Sequence, residues 1–127
     1  MADSRRYKDW YSKARTDFSS AEILSAHGGD NSAVAFHCQQ SVEKALKGLL
    51  LKETDTLFDS HSLTHLCRRA SKLNDDYEQF VKDCSYLDQF YIETRYPADD
   101  PLEVEDSESR ECLEIAKKIL ETLIVGE

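Results

Sequence analysis

The clearest hydrophobic pattern in the chain lies between residues 35 and 50, which read AFHCQQSVEKALKGLL. At about 100° per residue, Ala35, Cys38, Val42, Ala45, Leu46 and Leu49 share one face, the mark of an amphipathic helix with a buried side. Two polar residues interrupt it. Gln39 falls inside the apolar arc, and Glu43 at its edge beside Leu50. A buried amide without a partner costs about 1–3 kcal/mol, so Gln39, Gln40 and Glu43 are expected to be polar anchors inside a helical bundle.

Reading outward from this stretch gives five helices. The first is expected from about Ser4 to His27, where Tyr7, Trp10, Ala14, Phe18, Ala21 and Leu24 recur at spacings of three and four. Arg5, Arg6, Lys8, Asp9, Lys13, Arg15, Asp17 and Glu22 mostly cover its other sides. Gly28 and Gly29 end it, and Asp30, Asn31 and Ser32 supply candidate caps for the next helix. So short a link predicts an antiparallel hairpin. The second helix is expected from about Ser32 to Lys52, with Lys44 and Lys47 pointing away from the core. Along one flank Ser41, Ala45 and Gly48 make a strip of small side chains. It suits either packing within the chain or contact with a second copy.

After a polar loop over Glu53–Ser60, a shorter third helix is expected over about Ser62–Leu73, facing inward through Leu63, Leu66, Cys67, Ala70 and Leu73. Asn74 caps a fourth, running to about Thr94 on Tyr77, Phe80, Val81, Cys84, Leu87, Phe90 and Tyr91. The proline-containing, acidic stretch Arg95–Asp106 breaks the helical pattern. A last helix follows from near Ser107 to about Val125. The expected fold is all-α: a single domain over residues 1–127, five helices with an up-and-down four-helix bundle at its core.

Charge and composition then narrow the chemistry. The formal charge of −9 is uneven: residues 1–50 hold 7 Lys/Arg against 6 Asp/Glu, and residues 51–127 hold 9 against 19. An acidic second half argues against a general nucleic-acid binder. No apolar run approaches the roughly 20 residues of a membrane span. The N-terminal MADSRRYKDW lacks the apolar region of a signal peptide, so a cytoplasmic protein is expected. Cys38, Cys67, Cys84 and Cys112 have no zinc-ligand spacing and sit at helical intervals among apolar residues, which predicts buried thiols. His61 and His65 are four apart, but no acidic residue completes a zinc motif, and His61 reads better as a capping or hydrogen-bonding residue at a helix start. No metal and no cofactor is expected. Gly28–Gly29 follows a helix rather than a strand, which excludes a phosphate-binding glycine loop. An arginine at a helix end with an aromatic and a proline behind it, Arg95–Tyr96–Pro97, can present its guanidinium to a phosphate or carboxylate.

These motifs together resemble the HEPN domain family (higher eukaryotes and prokaryotes nucleotide-binding). The resemblance rests on Trp10, Ala14 and Asp17, on QQSVEKALKGLL at Gln39–Leu50, on His61 with Leu63, on Leu87 with Tyr91, and on TRYP at Thr94–Pro97. It implies a helical bundle, often dimeric, that pairs with a minimal nucleotidyltransferase and takes part in nucleotide or RNA transactions. Many members resemble toxin–antitoxin ribonucleases that use an arginine followed closely by a histidine. Here Arg95 is present, but Tyr96–Asp106 contains no histidine. Three readings follow. The first is a non-catalytic module that forms a homodimer, associates with a nucleotidyltransferase and binds a nucleotide through Lys44, Lys47, Arg95 and Tyr96. The second is a diverged ribonuclease with Arg95 at its site and His61 or His65 as acid or base. The third is a purely structural interaction domain. The acidic second half makes RNA the less expected ligand.

Overall fold

A computed structural model of the chain describes residues 2–91 and 103–125. Among the described residues there are five α-helices: α1 (Tyr7–Ala26), α2 (Asn31–Thr54), α3 (Leu63–Ser71), α4 (Val81–Asp88) and α5 (Asp106–Leu123), with a 3-10 turn at Asp75–Phe80 leading into α4. The all-α, five-helix expectation holds. α2 is the central element. α1 packs along it as the other arm of the hairpin, α5 lies against both, and α3 packs on α2 while carrying the 3-10 turn and α4.

Local chemistry explains the boundaries. Gly28 takes a left-handed conformation (φ 71°) at the close of α1, as glycine does cheaply. The cap of α2 is Asp30, whose side chain accepts from the Ala33 amide. Ser62 caps α3 by accepting from the His65 amide. Asn74 accepts from the Asp76 amide, but what it caps is the 3-10 turn rather than the expected α-helix. α5 opens with a reciprocal capping box between Glu105 and Glu108. Asn31 ties the hairpin to this start: its amide donates to the Val104 carbonyl and to Asp106, and its own oxygen accepts from Ser109.

The core runs along the inner faces of α2, α3, α4 and α5, where Leu46, Leu50, Leu63, Leu66, Leu87 and Ile119 are fully buried together with Phe90 just beyond α4. Each such side chain contributes about 1.5–3 kcal/mol. All four cysteines are buried and free. Three expectations need correction. α1 begins at Tyr7, not Ser4, and is turned so that Tyr11 and Asp17 join Ala14 and Ala21 inside, while Trp10 and Phe18 are only half-buried. Leu73 is exposed because α3 ends at Ser71, before the helix brings it round. Helix four stops at Asp88 instead of running on toward Thr94, which itself lies outside the described residues.

The small strip on α2 serves the chain's own packing. A Cβ on Gly48 would stand 2.7 Å from the Tyr11 ring and 3.2 Å from Trp10 Cβ. Glycine at that position lets α1 close onto α2, with the Tyr11 ring filling the space.

Candidate functional site: a buried polar seam ending at His61

Gln39 and Glu43 are both buried, as their places on the wheel require. The lysines are not placed as expected. Lys47 is 5% exposed, and its ammonium bonds Glu43 at 3.2 Å. Lys44 is largely enclosed between Asp17 at 2.7 Å and the Gln40 oxygen at 3.2 Å. The reason is α1. It leans over the flank that a helical wheel leaves open, bringing Asp17 to Lys44 and the Trp10 ring to 5.9 Å from the Lys47 ammonium. An ammonium removed from water needs such partners, and here each has a carboxylate.

These contacts join into a seam. Lys44 donates to Asp17 and Gln40; the Gln40 amide donates to the Gln39 oxygen at 2.7 Å; the Gln39 amide donates to the His61 carbonyl at 3.3 Å. Beside it, Glu43 accepts from Lys47 and stands 3.3 Å from His61 Nδ1 through both carboxylate oxygens. Six polar side chains of α1 and α2 thus converge on one residue of the loop before α3. His61 itself is half open: its side chain is 57% exposed, and its ring lies nearly parallel to Tyr91 (15°, centroids 5.1 Å apart). Tyr91 in turn stacks on Phe36 at 6.4 Å.

The segment after His61 is gripped from the other side by Asp88. Its carboxylate accepts from the amides of Leu63 (2.7 Å) and Thr64 (3.0 Å) and from the Thr64 hydroxyl (2.7 Å). This carboxylate at the C-terminal end of α4 sits where its own helix dipole is unfavourable, and the N-terminal amides of α3 offset that. Periodicity marks neither Asp17 nor Asp88 as interior, although Asp17 belongs to the motif that carries the family resemblance. Each looks like a solvent-facing acid, and only the packing of a second helix turns it inward.

His61 precedes α3, and His65 is exposed on it. Among the described residues no group of three or more His, Cys, Asp or Glu side chains is arranged to hold a metal ion. Three of the thiols are poor nucleophiles. Burial pushes the Cys112 thiol up to about 12 and the Cys38 thiol higher still. The Cys67–Cys84 hydrogen bond raises Cys84, with burial adding to it, and lowers Cys67. Other cations lie elsewhere: Arg5, Arg6, Lys8 and Lys52 line a groove of about 640 Å³ where the start of α1 meets the end of α2, with Arg5 paired to Asp55 and Arg6 to Asp9. Arg95 and Tyr96 lie outside the described residues. No helix among the described residues is long and apolar enough to cross a membrane.

The fold has close counterparts. TT1696 from Thermus thermophilus is similar at 32% identity with a TM-score of 0.80, over 95% of this chain and 98% of that one. ST0689, an archaeal HEPN homologue, is similar at 26% identity with a TM-score of 0.75, over 94% and 95% of the two chains. No curated protein matches. The HEPN domain model matches residues 7–125. That match spans every helix and both arms of the polar seam, and the chain belongs to the HEPN domain family.

Proposed function

We propose that this protein is a non-catalytic HEPN module that forms a homodimer, associates with a minimal nucleotidyltransferase and binds a nucleotide. The observation that carries this reading is the internal pairing of the seam. Lys44 and Lys47, the cations of the QQSVEKALK block, are neutralised by Asp17 and Glu43, so the block holds geometry rather than meeting phosphate. Phosphate contact then falls to other cations, and Arg95 with Tyr96, four and five residues beyond Tyr91 in sequence, remain the candidates. A cytoplasmic location accords with four thiols kept reduced and buried.

The test is thermal. Purified protein is melted with each ribonucleoside triphosphate, with and without a minimal nucleotidyltransferase domain. A ligand at 100 times its Kd stabilises by about 2.7 kcal/mol, so a clear rise in Tm with one nucleotide or with the partner is expected, and Arg95→Ala should diminish the nucleotide effect. A flat panel together with a monomeric, partnerless protein overturns the proposal and leaves a purely structural domain.

One observation favours the ribonuclease alternative: a half-exposed imidazole whose Nδ1 faces a buried carboxylate is an arrangement suited to acid–base work at Nε2. Cleavage of mixed RNA that is lost in both His61→Ala and Arg95→Ala would establish it.

A further inference from the structure

We propose that the outer face of His61 is a stacking platform for a nucleobase. This rests on the nucleotide-binding reading above and gives it a base subsite. Three observations lead there.

The first is the row of rings. Phe36, Tyr91 and His61 are stacked, with interplanar angles of 25° and 15°, and His61 leaves more than half of its side chain open to solvent. A flat, open π-face at the end of such a row offers a further planar ring the same contact that His61 makes with Tyr91. Bases stack on histidine as on other aromatic side chains, and with little regard to sequence.

The second is rigidity. An exposed histidine in a loop ordinarily samples several rotamers and loses that freedom on binding. His61 has lost it already. Glu43 faces its Nδ1 with both oxygens, Gln39 holds its carbonyl, and the next residues are fixed by Asp88. A buried network that immobilises a ring without burying it leaves a preorganised surface.

The third is the unused edge. Nε2 of His61 has no partner among the described residues, and it lies in the ring plane where a heteroaromatic ligand carries its own donors and acceptors. The chemistry selects against a cation in this place. Imidazole is a weaker cation host than Trp, Tyr or Phe, and the nearby carboxylate of Glu43 is already engaged by Lys47. A planar, neutral ring with a hydrogen-bonding rim fits. Such a ring can come from a free nucleotide or from a base of a single-stranded RNA.

The experiment is a calorimetric titration of the whole protein with ATP, GTP, CTP and UTP, with a single-stranded octaribonucleotide, and with ribose 5-phosphate as the baseless control. It is repeated on His61→Ala and His61→Phe. Binding of base-containing ligands but not ribose 5-phosphate is expected. His61→Ala should weaken it about tenfold, while His61→Phe, which keeps the plane, should stay within about threefold. Intermolecular NOEs from base protons to the His61 ring in the unmodified protein give a readout independent of any variant's folding. Tighter binding of the octamer than of any mononucleotide assigns the base to a strand, and the reverse assigns it to a free nucleotide; either supports the platform. Undiminished binding by His61→Ala with no NOE at His61 overturns the platform while nucleotide binding stands. No binding by the unmodified protein removes both.

Discussion

Two buried or half-buried carboxylates grip the short segment between α2 and α3, and they do so in opposite ways. Asp88 collects backbone amides and a threonine hydroxyl at the start of α3. Every group it touches is consumed in building the helix. Glu43 collects two side chains, an ammonium and an imidazole, and the imidazole keeps one nitrogen and one face open. The first is a fastening. The second is a mount, which fixes a residue and still presents it. Adjacent residues, His61 and Ser62–Thr64, are thus held by different chemistry for different ends, and only the Glu43 side leads to solvent.

This contrast is sharpest where one carboxylate is removed. Glu43→Ala leaves the Lys47 ammonium buried without its counter-ion, and breaking a buried pair by one partner costs about 3–5 kcal/mol. We expect that loss in urea unfolding, and recovery of most of it in the double variant Glu43→Leu/Lys47→Met, which replaces the pair with apolar volume. A double variant as unstable as the single one would mean that Glu43 acts chiefly through His61 and not through Lys47.

Asp88→Asn keeps the shape but removes the charge facing two amides at a helix start, and should cost about 1–3 kcal/mol. Hydrogen exchange at Leu63 and Thr64 should accelerate, with nucleotide affinity unchanged once the folded fraction is allowed for. Loss of affinity in this variant beyond its unfolding would blur the line between fastening and mount.

The smallest effect belongs to His61. A single partly exposed hydrogen bond contributes about 1 kcal/mol net, so His61→Phe should shift unfolding by no more than about 1 kcal/mol. A larger loss would make His61 a fold residue like those around Asp88.

How much of this could be read from the chain depends on whether one helix or two decide a residue's place. Gln39 was legible because an amide inside an apolar arc announces itself within a single helix, and α2 was placed nearly to its ends by Asp30 and the glycines. Lys47 was not legible. Its position on the wheel is outward, and it becomes interior only because α1 lies across that flank, with Tyr11 seated over Gly48. Asp17 fails for the same reason, since its burial exists only opposite Lys44. The 3-10 turn at Asp75–Phe80 hides behind acids and a cap that suit an α-helix start equally well. The family resemblance reached further than periodicity. QQSVEKALK and His61 were picked out by it as one set, and the seam joins them in space. The orientation of His61 toward Tyr91 is a matter of tertiary register that no local pattern carries.

One consequence concerns the two ends of the stretch 92–102. On one side, Phe90 is locked into the core; on the other, Asn31 holds the carbonyl of Val104 and the cap of α5. The frame is thus a socket with fixed terminals: a ring seated in the core on one side and a carbonyl held by the hairpin on the other.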